Sequence, residues 1–221
     1  MKVSVIIPTL NESKVLGRTL RAIGEGAEVI VADGGSTDDT RGVARDHGAM
    51  VVQTRPGRGL QMDAGSALAS GEVLVFLHAD TLLPPGWLGS VSGALSEREV
   101  VGGGFSLRVD SAKRRFRLLE FFANARSTLF FVLYGDQAIF ARKDVFFRVG
   151  GFRKLPLMED VDCVKRLRGA GRVVVLRDHV TTSPRKWLKN GIVRNTACNW
   201  LVLALYYLGV PPDRLYSLYY R

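Results

Sequence analysis

The amino-acid sequence predicts an α/β fold with a mostly parallel central sheet flanked by helices. Three observations carry this prediction: the first 80 residues contain four short apolar runs, helix-forming segments separate these runs, and the connections are short and polar. Strands and helices that alternate in this way form parallel strands joined by right-handed crossovers. The chain has 221 residues, of which 47% are hydrophobic. It can therefore bury a proper core, and we expect one domain over residues 1–221.

The first 80 residues are expected to form four buried strands separated by three helices. Each candidate strand is a short apolar run rich in β-branched residues, which is typical of a strand covered on both faces. The candidate helices between them end close to glycine. The expected strands are Val3–Pro8, Val29–Ala32, Met50–Gln53 and Val73–Leu77. The first expected helix ends at about Ile23, and the other two are Asp38–His47 and Leu60–Ala69.

The second half is less regular, but the same patterns predict its elements. Alternating or short apolar runs indicate strands, and longer amphipathic runs indicate helices. The tail has mixed apolar and basic faces, which predicts helical structure. The expected strands are Gly102–Val109, Gln137–Ala141 and Val173–Leu176, and the expected helices are Trp87–Leu95, Lys113–Leu133, Asp144–Val149, Met158–Arg168 and the tail Trp187–Leu208.

The composition narrows the class of partner. Lys and Arg number 31 against 21 Asp and Glu, a formal charge of +10. This excess points to a nucleic acid, a membrane surface or a phosphorylated small molecule, or else to solvated surface charge.

Two cysteines are too few for a disulfide framework or a Cys-rich zinc site, and they fit free thiols in a reducing cytoplasm. The N-terminal apolar run is too short for a signal peptide, and no apolar run reaches about 18 residues, so we expect no transmembrane helix.

Polar residues concentrate where the predicted parallel strands end, and sheets of this kind bind ligands at that edge. Asp80 follows the fourth strand, and a carboxylate there can bind Mg²⁺ or Mn²⁺ that bridges two phosphates. His78 stands where a second carboxylate would complete such a site. Its imidazole is a candidate ligand that suits Mn²⁺ better than Mg²⁺; the alternative is a histidine that only orients the loop.

Two further loops carry candidate binding residues. Asp33 ends the second strand, where its carboxylate can accept hydrogen bonds from a nucleobase or a ribose, and the glycines after it allow a ligand to approach the backbone. The same run is also an ordinary turn with a helix cap. Arg55 and Arg58 lie in a Gly-rich loop and can pair with phosphate. The absence of a Walker lysine pattern and of a Gly-x-Gly-x-x-Gly helix start disfavours P-loop and dinucleotide-binding folds.

Glu159 and Asp160 begin a predicted helix. Two acidic residues at a helix start can be a cap favoured by the helix dipole. The functional interpretation is a general base, which needs a carboxylate aimed at a hydroxyl nucleophile. Because adjacent helical residues point about 100° apart, we expect only one of the two to face a substrate.

Taken together, these segments resemble the family 2 glycosyltransferases, which have the GT-A fold. The resemblance runs from Val3 to about Arg168, roughly three quarters of the chain. Six motifs carry it, each weak alone but all in the family's order and spacing. They are Val3–Glu12, like the opening strand and nucleotide loop; Val31–Asp38, like the Asp-Asp-Gly-Ser-Thr-Asp segment; Gly59–Gly71, like the Gly-rich helix; Phe76–Asp80, where the family has its Asp-x-Asp metal motif; Gly135–Phe140, like the segment before the acceptor site; and Met158–Asp162, like the Glu-Asp base motif.

The resemblance implies an inverting, metal-dependent transfer of a sugar from a UDP-sugar or GDP-sugar to a hydroxyl acceptor. It implies Mn²⁺ or Mg²⁺ on Asp80, with His78 as a second candidate ligand, and Asp160 or its neighbour Glu159 as the general base. Residues 1–80 would form the nucleotide-binding half, residues 81–180 the acceptor half and residues 181–221 a helical tail. The residues implied to bind the nucleotide are Pro8, Thr9, Asn11, Glu12, Asp33, Gly35, Ser36, Arg58 and Ala79.

The sequence also departs from the family pattern. His78 replaces the first Asp of the metal motif, and Asp63 stands where Asn is usual. Processive synthases carry a Gln-x-x-Arg-Trp motif, of which Ser183–Trp187 is only a loose echo, so a single-transfer enzyme is favoured. The combination of His-Ala-Asp, Gly-Asp-Gln-Ala and Ser-Pro-Arg-Lys-Trp looks like a bacterial subgroup called transferase 2 proteins associated with radical-SAM or selenium domains. That name implies no particular acceptor.

The acceptor and other partners are open at this point. Basic residues cluster at 113–117 and 185–194, so a lipid-linked acceptor at the inner face of a membrane is one candidate, and a solvated helix face is the alternative. A homo-oligomer is another possible assembly, and nucleic acid is the least supported partner.

Three other classes of function compete with a glycosyltransferase. They are a haloacid-dehalogenase phosphatase, which needs a nucleophilic Asp where His78 stands; a nucleotidyltransferase, whose Gly-rich, Lys-containing signature is missing; and a basic, non-catalytic binding module.

Overall fold

The computed structural model describes residues 1–219. Within that range the chain alternates strands and helices in the first half and becomes increasingly helical toward the end. The strands are β1 (Val3–Thr9), β2 (Ala27–Asp33), β3 (Met50–Gln53), β4 (Val73–Phe76), β5 (Thr81–Leu82), β6 (Val100–Val109), β7 (Ile139–Arg142) and β8 (Arg172–Thr182). The helices are α1 (Ser13–Ile23), α2 (Thr40–Asp46), α3 (Arg58–Leu68), α4 (Trp87–Ala94), α5 (Arg114–Phe130), α6 (Lys143–Arg148), α7 (Glu159–Ala170), α8 (Arg185–Asn190), α9 (Ile192–Tyr207) and α10 (Pro212–Tyr219).

The strands form one sheet in the order β3-β2-β1-β4-β7-β6-β8-β5. In the first half, β1 pairs in parallel with β2 and β4, and β2 with β3. The predicted α/β alternation is confirmed there, with element ends that differ by at most two residues. Because these strands all point the same way, their carboxyl ends meet at one edge of the sheet, where the polar loops follow.

The second half adds mixed pairings to the sheet. β7 lies antiparallel between β4 and β6, β8 is parallel to β6, and the short β5 pairs antiparallel with β8. The sheet is mostly parallel, as expected. β8 extends well beyond the predicted Val173–Leu176: it continues to Thr182, past a shift of its register on β6 between Leu176 and His179. The polar residues at this shift interrupt the apolar pattern, which hid the second part of the strand from sequence reasoning.

The core lies on both faces of the sheet. Every residue of β1 is buried, and successive side chains of a strand point to opposite faces. Val5 and Ile7 accordingly join one apolar cluster and Ile6 the other. This explains why the strand has a continuous apolar run rather than an alternating one.

The expected helical tail is present as α8, α9 and α10. A third apolar cluster ties it to the start of α7, with Val202, Leu203 and Leu215 packed beside Met158 and Val161. The tail therefore lies next to the helix that begins with Glu159 and Asp160. No helix among residues 1–219 is both long enough and apolar enough to cross a membrane.

Candidate active site

Two adjoining pockets open at the carboxyl edge of β1 and β4. The first, which we call the sheet-edge pocket, has a volume of about 430 Å³ and contains Pro8, Thr9, Glu12 and Ala79 of the predicted nucleotide loops in its wall. The second, the inner pocket, has a volume of about 170 Å³ and lies against the starts of α7 and α8 and the 3-10 turn Gly135–Gln137. The two pockets share a wall made of Arg58, His78, Asp80 and Glu159.

Asp33 organises the turn that follows β2. Its carboxylate is fully buried and accepts hydrogen bonds from the main-chain N–H groups of Gly35 at 3.1 Å and Ser36 at 2.9 Å. The hydroxyls of Ser36 and, at 3.3 Å, Thr9 also donate to it. Asp33, Gly35 and Ser36 are not among the residues that line the sheet-edge pocket; Asp33 and Ser36 are buried, whereas Gly35 is exposed.

Asn11 joins the loops after β1 and β2. It adopts a left-handed backbone with φ of 56°, a conformation that Asn tolerates better than most residues. Its main-chain N–H donates to Ser36 Oγ at 2.9 Å, and its Oδ1 accepts from the Thr37 N–H at 2.8 Å. These bonds hold the two loops together; Asn11 itself is exposed and is not among the residues that line the sheet-edge pocket.

Gln61 is a site residue that the sequence reasoning missed. It is buried on α3, and its Nε2 donates to the carbonyls of Thr9 at 2.8 Å and Ala32 at 2.7 Å. One amide thereby fastens the ends of β1 and β2 to the helix that begins with Arg58. The only sequence signal was a polar residue on the buried face of a helix, which does not by itself identify a site.

Arg185 is a second residue whose place the sequence did not reveal. Its Nη2 donates to Asp80 Oδ2 and to Glu12 Oε2, each at 2.9 Å. Burial raises the pKa of Glu12, and the nearby Arg185 opposes this rise. The segment Ser183–Trp187, which loosely resembles the synthase motif, thus places the Arg185 guanidinium between two carboxylates at the edge of the sheet. Arg185 is therefore part of the site rather than of a basic surface remote from it.

His78 borders both pockets as a neutral imidazole. Burial, and to a smaller extent the neighbouring Arg58 charge, lower its pKa to about 4. A Cβ at position 135 would come within 2.5 Å of His78 Nε2, so only glycine fits beside the ring. A neutral imidazole in this position retains a lone pair with which it can bind a metal ion.

The donor set fits a divalent cation that takes most of its ligands from a substrate. Among residues 1–219, no group of three or more His, Cys, Asp or Glu side chains could hold an ion. Mg²⁺ and Mn²⁺ are commonly bound by one or two carboxylates together with phosphate oxygens. Asp80 offers such a carboxylate, and its contact with Arg185 shows that this position accommodates positive charge.

Glu159 and Asp160 follow Met158, which has a left-handed φ of 66°. Glu159 is buried and forms an ion pair with Arg58, with Oε1 and Nε 3.1 Å apart. Burial raises the pKa of Glu159, and Arg58 opposes this rise. Asp160 is half-buried, and its Oδ2 accepts from the Gly135 N–H at 2.7 Å.

Both carboxylates border the inner pocket. The pocket wraps around the first turn of α7, and the expectation that only one of the two faces a substrate stays a prediction. Their partners nevertheless distinguish them. Glu159 is neutralised by an arginine, whereas Asp160 is held by main-chain amides, including that of Val161 at 2.7 Å.

Two polar side-chain atoms of residues that line the inner pocket are buried and have no hydrogen-bond partner among residues 1–219. They are Oδ1 of Asp136 and Nδ2 of Asn195, one an acceptor and the other a donor. Burial raises the pKa of Asp136. Buried polar atoms are rarely left unpaired, and a hydroxyl-bearing ligand can pair with both kinds. The sequence reasoning noted Gly135–Phe140 but did not single out Asp136, and Asn195 gave no signal at all.

Comparison with known proteins decides the family. The model of "Glycosyl transferase family 2" matches residues 4–155. The chain belongs to this family. The match covers most of the residues that line the sheet-edge pocket and the Gly135 turn, while Glu159, Asp160 and the tail lie beyond it.

Curated relatives match shorter parts of the chain. An uncharacterized glycosyltransferase of Mycobacterium tuberculosis is 41% identical over 85 residues, which are 38% of this chain and 39% of the relative. The glucosyl-3-phosphoglycerate synthase of the same species is 34% identical over 96 residues, 37% of this chain and 30% of that protein. The matches thus span less than half the length of these curated relatives.

Solved structures match almost the whole chain. A mannosyltransferase from Pyrobaculum calidifontis, in complex with GDP-Man and Mn²⁺, matches with a TM-score of 0.72 at 20% identity, covering 99% of this chain and 68% of that one. TarS of S. aureus matches with a TM-score of 0.67 at 17% identity, covering 99% and 70%. The predicted GT-A fold is confirmed by these likenesses.

Proposed function

We propose that this chain transfers a sugar from a UDP-sugar or GDP-sugar to a hydroxyl acceptor with inversion at the anomeric carbon. One observation carries the proposal: in a family 2 chain, the carboxylate of Asp160 lies in a small pocket that shares a wall with the sheet-edge pocket. A general base needs this placement beside the donor site. Known complexes support the donor class, because the P. calidifontis mannosyltransferase was solved with GDP-Man and Mn²⁺ and the M. tuberculosis synthase with UDP and Mn²⁺.

The sheet-edge pocket is the proposed nucleotide site. Thr9 and Glu12 would contact the nucleoside, while the turn organised by Asp33 would shape the surface for the base. Arg58, at the start of α3, would approach the diphosphate. In this scheme residues 1–80 form the nucleotide-binding half, residues 81–180 the acceptor half and residues 181–221 the tail, all in one domain.

Asp80 would hold a divalent cation together with diphosphate oxygens, and His78 is a second candidate ligand. The cation, Mn²⁺ or Mg²⁺, would supply positive charge that stabilises the departing diphosphate. Arg185 already pairs with Asp80, so its guanidinium must either share this carboxylate or release it when the donor binds. Arg58 adds a second positive charge on the same wall.

The transfer itself is an in-line displacement. The acceptor oxygen forms a bond to the anomeric carbon while the bond from that carbon to the diphosphate oxygen breaks, and the electron pair leaves with the diphosphate. Asp160 accepts the proton of the acceptor hydroxyl. Asp136 and Asn195, with their unpaired polar atoms, would orient hydroxyls of the ligand in the inner pocket.

We also infer two finer points from the sequence. The motifs around His78, Gly135 and Ser183 favour the radical-SAM or selenium-domain-associated subgroup. Free cysteines fit a reducing cytoplasm, where nucleotide sugars would be encountered. The acceptor stays open, and the competing classes are a nucleotidyltransferase and a basic binding module without enzymatic activity.

A thermal-shift screen of UDP-sugars and GDP-sugars, with and without Mn²⁺, tests the proposed donor. We expect one donor class to raise the Tm, more strongly with Mn²⁺. The Asp80→Asn variant should lose the Mn²⁺-dependent part of the shift, whereas Asp144→Asn, an exposed acid on α6, should keep it. No shift with any nucleotide sugar, or an undiminished Mn²⁺ effect in Asp80→Asn, would contradict the proposed site.

A further inference from the structure

Helix α5 presents an apolar stripe to solvent. Leu118, Phe121, Phe122 and Leu129 are between 51% and 69% exposed. At 100° per residue these four side chains, with Ala125, fall within an arc of about 100°. A surface helix of a globular protein normally turns such a stripe toward the core. Here the opposite face is already used for packing, because Phe116 and Leu119 are buried.

Helix α9 presents a second apolar stripe. Val193, Trp200, Leu201 and Tyr207 are exposed, and Leu208, just after the helix, is 80% exposed. They share one side of α9 by the same helical spacing. Its buried residues Asn195 and Val202 lie on the opposite side.

The two stripes meet. Leu129 and Phe130 of α5 line a common groove with Trp200, Ala204 and Tyr207 of α9. We call the combined surface the α5/α9 face. Contiguous exposed apolar surface of this kind marks a site of interaction with a protein or a membrane.

The charges around the α5/α9 face favour an anionic lipid surface. Arg114 and Arg115 are exposed one turn before Leu118, on the same side of α5. Lys189, in the last turn of α8, and Arg194, in the first turn of α9, are also exposed. Residues 183–208 contain no Asp or Glu, and residues 111–135 contain only Glu120, which is buried.

This charge distribution argues against a second copy as the occupant. In a two-fold symmetric dimer the same patch faces itself, which would bring the arginines of both copies together without acidic partners. Aromatic and aliphatic side chains flanked by Lys and Arg are, in contrast, the composition of segments that lie in the interface of anionic membranes. We propose that the α5/α9 face docks this protein onto a membrane surface that contains anionic lipids.

The α5/α9 face lies close to the inner pocket. A cleft between α5 and α9 runs from Phe122 and Trp200 to Asp136 and Asn199, and the last two residues also line the inner pocket. A membrane-anchored acceptor could therefore place its polar end beside Asp160 while its apolar part stays at the lipid. This last step rests on the proposed function, whereas the docking itself does not.

Vesicle co-sedimentation of the full chain, without nucleotide, tests the docking. We expect the wild-type protein to bind vesicles of phosphatidylcholine with phosphatidylglycerol, and to bind pure phosphatidylcholine vesicles much more weakly. The double variant Phe121→Ser with Leu129→Ser should bind at least tenfold more weakly, because two side chains leave the lipid. The double variant Arg114→Gln with Arg115→Gln should lose most of the preference for anionic lipid.

The matched control exchanges two apolar side chains that are exposed elsewhere, Met50→Ser with Leu68→Ser, and should bind like the wild type. The proposal is overturned if the wild type does not bind anionic vesicles, or if the control loses binding as much as the variant of the α5/α9 face. It is also overturned if analytical ultracentrifugation shows a dimer that the Phe121→Ser, Leu129→Ser variant dissociates. Because no nucleotide sugar is present, these outcomes do not depend on the proposed enzymatic activity.

Discussion

The close approach of α3 to β1 makes Gly65 a sensitive position. A Cβ added there would lie 2.5 Å from Ile6 Cγ2, and Ile6 is fully buried on β1. Ordinary carbon contacts are about 3.5–4.0 Å, so Gly65→Ala would force the helix and strand apart by roughly 1 Å. Such overpacking costs about 1–3 kcal/mol, and the better helix propensity of Ala offsets about 1 kcal/mol.

We therefore expect Gly65→Ala to lower the free energy of unfolding by up to about 2 kcal/mol, which corresponds to a Tm drop of up to roughly 8 °C for a domain of this size. Urea unfolding followed by tryptophan fluorescence measures the change. Gly89→Ala is the matched control, because Gly89 lies in α4 with no atom within 4 Å of the added Cβ, and it should stabilise slightly. If Gly65→Ala were stabilised as much as Gly89→Ala, the packing argument would be refuted.

Two other predictions concern titratable groups. His78 has a folded pKa of about 4, below its ordinary 6.5, so the unfolded chain binds the proton first. The free energy of unfolding should then fall by up to about 3 kcal/mol as the pH drops from 6.5 to 4, and His78→Gln should remove this part of the slope; equal slopes in both proteins would refute the prediction. Burial raises the pKa of the Cys163 thiol to about 12, so iodoacetamide at pH 8 should modify the half-buried Cys198 first. Peptide mass spectrometry that found Cys163 modified first would speak against this.

The parallel half of the fold could be predicted because local and tertiary signals agree there. Strand β1 is apolar at nearly every position, which follows from its burial on both faces. Strand β5 and the second part of β8 could not be found, because two residues are too short for a periodic pattern and the register shift near Asp178 brings polar residues into the strand.

The site was predictable wherever a strand end or a helix start carries the residue. His78, Asp80, Glu159 and Asp160 all border the predicted edge of the sheet. The contacts of Arg185 were not readable, because it lies 105 positions from Asp80 in the chain and reaches it only through the placement of α8.

Asp136 and Asn195 were missed for a related reason. Each of these two pocket-lining residues has a buried polar atom without a hydrogen-bond partner. Whether such an atom has a partner depends on the folded environment, so the sequence alone does not show it. Asp33 shows the opposite case: the sequence identified the residue, and the structure assigns its carboxylate to the turn that Gly35 and Ser36 form.

The most direct test of the central claim is the rate of sugar transfer by Asp160→Asn with the donor identified in the thermal-shift screen. Release of the nucleoside diphosphate should depend on the acceptor in the wild type and in Asp144→Asn. In Asp160→Asn we expect kcat to fall by about 10²- to 10⁴-fold while the Kd for the donor stays unchanged. A kcat within a factor of about two of the wild type would contradict the assignment of Asp160 as the general base.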